Sequence, residues 1–167
     1  MSKSKIKIYK ANPILKQKIG SGPLDKKLLD RAEKVIKENE VDFTPLGLQF
    51  LNELEEALNA VEGNLNNDKF ASHKQSLTQP VMELKANAKI FHYDLVGNLA
   101  NIMLNFLESI TSLDKDALAI VRGHHETLRG IINNNLRGDG GQKGQIMITE
   151  LENACARYYK KQRKSQD

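Results

Sequence analysis

Between Gln79 and His92 the chain reads Q-P-V-M-E-L-K-A-N-A-K-I-F-H, a stretch rich in side chains that can engage another molecule. They are the Met82 thioether, the Lys85 and Lys89 ammonium groups and the His92 imidazole. On a helix, at about 100° per residue, Leu77, Val81, Leu84, Ala88 and Phe91 form a core stripe, while Met82, Lys85, Ala86 and Lys89 gather on a second face roughly 120° away. That second face is a flank. It presents one flexible apolar side chain, two cations and one methyl group to whatever lies outside.

The other reactive residue types are few. His73 lies on the early part of the same helix. His124 and His125 sit in G-H-H-E-T-L-R-G, aligned with Val121, Leu128, Ile131 and Ile132, which reads as packed or boundary histidines. Adjacent histidines project about 100° apart on a helix, so they do not share a face as metal ligands need to. No metal site is expected, and no cofactor. Cys155 is the single cysteine, which rules out an intramolecular disulfide and a thiolate zinc cluster. Its neighbours Ala154 and Ala156 suggest a small residue within a helix interface. The segment G-D-G-G-Q-K-G lacks the spacing of a phosphate-cradling loop, and its glycines are expected to end one helix and start the next. The acids Glu53, Glu55 and Glu56 read as a solvated face. No Ser/His/Asp or Cys/His arrangement can be argued from spacing, and no catalytic residue is assigned.

Helices must position these groups. The spacing predicts them over about 26–39, capped by Asp25; from Thr44 with Pro45 at the first position; over 68–91, with Pro80 bending it or marking a fresh first turn; over 95–111, capped by Asp94; over 114–136; and over 145–162. The fourth carries the cleanest stripe: Leu95, Leu99, Ile102, Met103, Phe106, Leu107 and Ile110. Such a stripe can serve a closed core or a dimer seam. With short connections the expectation is an all-α fold, an antiparallel up-down four-helix bundle with one or two additional helices. The domain plan is a flexible basic segment over 1–23, with Ile14, Leu15 and Ile19 as docking residues, one bundle domain over 24–163 and a tail over 164–167.

The motif helix resembles that of the histidine phosphotransfer (Hpt) domain, a four-helix bundle that relays phosphoryl groups to and from receiver domains of response regulators. The family's motif is His-x-x-Lys-Gly, with a further glycine ten residues after the histidine. On this chain Met82 falls where the histidine would be, Lys85 matches the lysine, Ala86 replaces the first glycine and His92 the second. Leu84 matches the leucine common before the lysine. The resemblance covers about residues 45–136 and includes the helix that follows the motif. It implies a bundle that docks a receiver through Met82, Lys85, Ala86, Lys89 and His92. A thioether cannot form a phosphoramidate, so the implied module binds without relaying, in two-component or chemotaxis signalling.

Composition agrees with a single soluble helical domain. The 167 residues are enough to bury a real core, aromatic residues are 5%, tryptophan is absent and prolines number four. No apolar run approaches the roughly 20 residues of a membrane span, and the basic start lacks a signal peptide's apolar stretch, so a cytoplasmic protein is expected. The net charge of +4 is uneven: residues 1–19 hold six lysines and no acid, and the last eleven residues are also basic, which leaves residues 20–156 at −6. Two alternatives to receiver docking follow from the residues. One is phosphotransfer through a displaced histidine, His125 or His73. The other is a helical adaptor whose basic ends meet nucleic acid or an anionic membrane, although stacking aromatics are sparse there.

Overall fold

Apolar residues three and four positions apart build helices throughout the described residues, which contain no strand. The computed structural model describes residues 26–38, 42–65 and 67–164. The N-terminal segment with Ile14, Leu15 and Ile19, the Asp25 cap and residues 165–167 lie outside the described residues. Helix α1 (Lys26–Glu38) lies in one compact unit, which ends at Glu40, and the remaining helices lie in a second, Val41–Asp167.

The second unit is the bundle. Helix α2 (Thr44–Glu62) carries Pro45 in its first turn, where the missing N–H has no helical partner to lose. The Asp42 carboxylate accepts the Thr44 N–H at 2.9 Å. A short 3-10 turn (Asn67–Lys69) leads into α3 (Phe70–Ala88), which runs through Pro80 without ending. Helices α4 (Asp94–Ser109), α5 (Lys115–Asn133) and α6 (Gly141–Lys164) follow. Helices α2 and α4 each pack on α3 and α5, which closes a four-helix ring, and α6 lies across α4 and α5. Short connections make successive helices antiparallel. The predicted α4 stripe is consumed inside this core: Leu95, Leu99, Met103, Phe106, Leu107 and Ile110 are buried, together with Val96, Ala100 and Leu104.

Two helix starts differ from the sequence reading. Asp94 does not cap α4 through its side chain; it lies in the first turn, and the Leu95 N–H is satisfied by the Gly138 carbonyl at 2.8 Å. Helix α6 begins at Gly141, four residues early. The glycines expected to start this helix form its first turn, where the Gly144 N–H donates to the Gly140 carbonyl at 3.0 Å. A side chain at Gly144 would collide with the Asp139 carbonyl oxygen and press on Leu95, so glycine here permits close packing.

Asp114 joins the ring to the added helix. One of its carboxylate oxygens accepts the Ala117 N–H at 2.7 Å and caps α5. The other accepts from the Gln162 amide at 2.7 Å and the Tyr158 hydroxyl at 3.3 Å, both on α6. Across the ring, Arg122 pairs with Glu62 at 2.8 Å and reaches Asn59, and Arg129 pairs with Glu55 at 2.8 Å and reaches Asn52. Both the arginines and their partners repeat at seven residues, two helical turns, so the pairs set the register of α2 against α5.

His124 and His125 are packed, at 0% and 3% exposure. His124 donates from Nδ1 to the Ile120 carbonyl at 2.9 Å, and His125 from Nε2 to the Leu51 carbonyl at 3.0 Å. Carbonyls only accept, so the bonded nitrogen of each ring carries a proton, and the other nitrogen is buried and unpartnered. Burial pushes both imidazoles below their ordinary value, against a smaller opposing effect of the carbonyl bonds.

Two outcomes are expected in chemical denaturation. Asp114→Ala lowers stability by about 1–3 kcal/mol, from the lost cap and the two lost bonds to α6, while Asp114→Asn keeps most of the cap. A common loss for both variants, or none, would contradict the role given to this carboxylate. For the histidines, the unfolded chain takes up protons below about pH 6.5 that the folded chain refuses. Stability therefore holds above that value and falls as the pH drops towards the lowered folded values, by up to about 1.4 kcal/mol per pH unit per histidine. Replacing both residues with glutamine flattens this part of the profile if the assignment holds.

Candidate docking surface on helix α3

The α3 backbone sorts its side chains as the wheel requires. Leu77, Pro80, Val81, Leu84 and Ala88 are buried, and the flank turns outward. Met82 is 49% exposed, although it is a large apolar side chain in the middle of a bundle helix. Lys85 is half-buried one turn on, and Ala86 and Lys89 are exposed. These four lie at i, i+3, i+4 and i+7, a single stripe about 10 Å long. Lys89 also serves packing: a side-chain carbon built on Gly97 of α4 would touch its Cγ at 3.4 Å, so the lysine stem lies over that glycine and leaves the charge at the rim.

Ile90 was not among the predicted residues, and at 70% exposure it is the most exposed large apolar side chain reported for the described residues. It stands four residues beyond Ala86, in the turn that ends the helix. The i, i+4, i+8 series Met82, Ala86, Ile90 is its signal in the sequence, on a different face from the core stripe that ends at Phe91.

His92 does not share the stripe. It is exposed beyond the helix end, with φ +62, in the left-handed region that favours glycine. The Tyr93 N–H reaches back to the Ala88 carbonyl at 2.9 Å and the His92 N–H to the Lys89 carbonyl at 3.2 Å. This is the Schellman pattern, with His92 in the position usually held by glycine. Helix α5 ends the same way: Asn135 has φ +51, the Leu136 N–H bonds to the Ile131 carbonyl and the Asn135 N–H to the Ile132 carbonyl. The Tyr93 hydroxyl donates to the Asn135 side chain, and the Gly138 N–H donates to the His92 carbonyl at 2.6 Å. Phe43 stacks on Phe91 at 5.1 Å and packs against Tyr93 at 5.0 Å beneath these caps. The loop that carries His92 is therefore fixed from two sides. Asparagine tolerates this left-handed conformation better than most residues, which suits Asn135 to the position.

The other candidates are placed plainly. His73 is half-buried near the start of α3. Arg129, the basic residue four after His125, is held by Glu55, which is therefore paired rather than merely solvated. Cys155 is buried and desolvation raises its thiol to about 11, so it is protonated at neutral pH. Among the described residues no group of three or more histidine, cysteine, aspartate or glutamate side chains could hold a metal ion. No helix among them is long and apolar enough to cross a membrane.

Set beside protein-family models, curated proteins and solved structures, the chain matches none of them.

Proposed function

We propose that the chain is a non-catalytic, Hpt-like interaction module of cytoplasmic two-component or chemotaxis signalling, docking the receiver domain of a response regulator through α3. The exposed Met82, flanked by Lys85, Ala86 and Lys89 where the motif's reactive residue would stand, is the observation that carries this reading. Two further features support it. The closed ring of α2 to α5 is the architecture the resemblance implies, and His92 adopts the left-handed backbone at the position where the motif has its second glycine.

The chemistry of docking follows from the side chains. A receiver's phosphorylation pocket is rich in carboxylates, and two ammonium groups around an apolar centre complement it in charge. Met82 supplies a flexible apolar anchor, Ala86 is small enough to let the partner approach the helix, and Ile90 extends the apolar area. A thioether accepts no phosphoryl group, so contact outlasts the loss of relay chemistry. The displaced-histidine alternative gains nothing from His125, whose ring is enclosed and bonded to the Leu51 carbonyl.

Two measurements test this. In titrations against a panel of receiver domains, Met82→Asp combined with Lys85→Glu is expected to weaken binding at least about tenfold, or about 1.4 kcal/mol. Unchanged affinity, or no binding to any receiver by the unaltered protein, removes the proposed face. Incubation with a phosphorylated receiver is expected to leave no acid-labile phosphate on the chain. Label that disappears in His73→Ala or His125→Ala would instead establish transfer.

A further inference from the structure

Helices α5 and α6 leave an open groove of about 280 Å³ between them, lined by Asp116, Ala119, Ile120, Ala154, Arg157, Tyr158 and Lys161. The hollow exists because two of the facing residues, Ala119 and Ala154, end at Cβ. Its floor is otherwise apolar, from Ile120 and the Tyr158 ring. Its α6 rim is cationic: Arg157 and Lys161 stand one turn apart, and Lys160, Arg163 and Lys164 continue the charge, with no acid on the helix after Glu152. Asp116 on the opposite rim pairs with Lys161. The walls are held in place, because Tyr158 and Gln162 are both bonded to Asp114. A groove already shaped by its own bonds asks little ordering of its walls when something binds.

We infer that the α5–α6 groove is a second docking site, which takes an acidic segment of a partner protein carrying an aliphatic side chain between its carboxylates. The carboxylates meet Arg157 and the neighbouring lysines, and the aliphatic side chain enters the hollow over Ala119 and Ala154. Charge sets the sign of the occupant, and the apolar floor sets its class. A single-stranded nucleic acid needs exposed rings for stacking. Here Tyr158 is buried, and Tyr159 is half-buried with its hydroxyl on Ser109 at 2.5 Å. A flat anionic bilayer would reach the outer lysines but not the floor. In the ring, α5 lies across from α3, so this site and the α3 surface face different directions and can be filled together. The inference does not depend on the receiver reading.

Fluorescence anisotropy of the full chain tests it, with a short labelled peptide bearing glutamates at i and i+4 around a leucine. Comparison probes are a polyglutamate peptide of equal length, a single-stranded oligonucleotide and phosphatidylglycerol vesicles. The glutamate–leucine peptide is expected to bind at least about tenfold more tightly than polyglutamate, and Arg157→Glu is expected to remove about that factor. Ala119→Phe fills the hollow without changing charge and is expected to weaken the peptide alone, with Ala119→Leu as the substitute if the larger ring disturbs the helical circular dichroism. Equal binding of polyglutamate, no effect of a folded Ala119 variant, tighter binding of the oligonucleotide or the vesicles, or no binding of the peptide would each overturn the proposal.

Discussion

The structure depends on covering α4. Its buried residues, Leu95, Val96, Leu99, Ala100, Met103, Leu104, Phe106 and Leu107, run around most of the helix rather than along one stripe. A helix apolar on that many sides is stable in water only when surrounded. Helices α3 and α5 cover two sides as ring neighbours, and α6 closes the third. This demand explains why a helix with only Gly144, Cys155 and Tyr158 buried is retained at full length: its half-buried Met147, Ile148, Leu151 and Tyr159 complete the cover of α4. It also explains why α3 can spare a face. With α4 enclosed by the buried face of α3 together with α5 and α6, Met82 and Ile90 are not needed in the core.

The ends of the bundle fix what the apolar core leaves free to slide. At one end, two helix caps in left-handed conformations are tied by the Tyr93–Asn135 bond and by the backbone pair between His92 and Gly138. At the other, Asp114 caps α5 and holds α6, while Lys74 donates to the Glu108 carbonyl at 2.7 Å and so places a cation at the C-terminal end of α4. Between them, the Arg122 and Arg129 pairs allow one register of α2 against α5. Exposed ion pairs contribute little stability each, roughly 0–1 kcal/mol, so their value here lies in specifying alignment.

Much of this was legible from apolar periodicity. The core faces of α3, α4 and α5 follow from residue spacing, as does the outward turn of Met82, Lys85, Ala86 and Lys89, because burial and helical period are local properties of the chain. The ends were less legible. Gly144 was expected just outside the helix that starts at 145, because nothing in the sequence tells that Asp139 and Leu95 crowd its Cα. Asp94 looked like a cap because the carbonyl that replaces its side chain, that of Gly138, arrives from 44 residues away. His92 matched a glycine position in the motif, but its left-handed backbone is set by the Schellman turn and by Gly138. Ile90 was hidden by a helix expected to continue through Phe91. Long-range pairs such as Tyr93 with Asn135 have no periodicity to betray them.

The tyrosines carry an optical consequence. The chain has no tryptophan, so its intrinsic fluorescence comes from four tyrosines, of which Tyr9 lies outside the described residues. Tyr93 sits buried at the end of the bundle that carries His92, with its hydroxyl on Asn135 and the Arg137 guanidinium over its ring. Tyr158 and Tyr159 pack edge-to-face at 6.0 Å at the opposite end, against Phe106 and beside the α5–α6 groove. The same rings that lock the two ends of the bundle are therefore native emitters, each near a different surface, and they report on the two ends without any attached label.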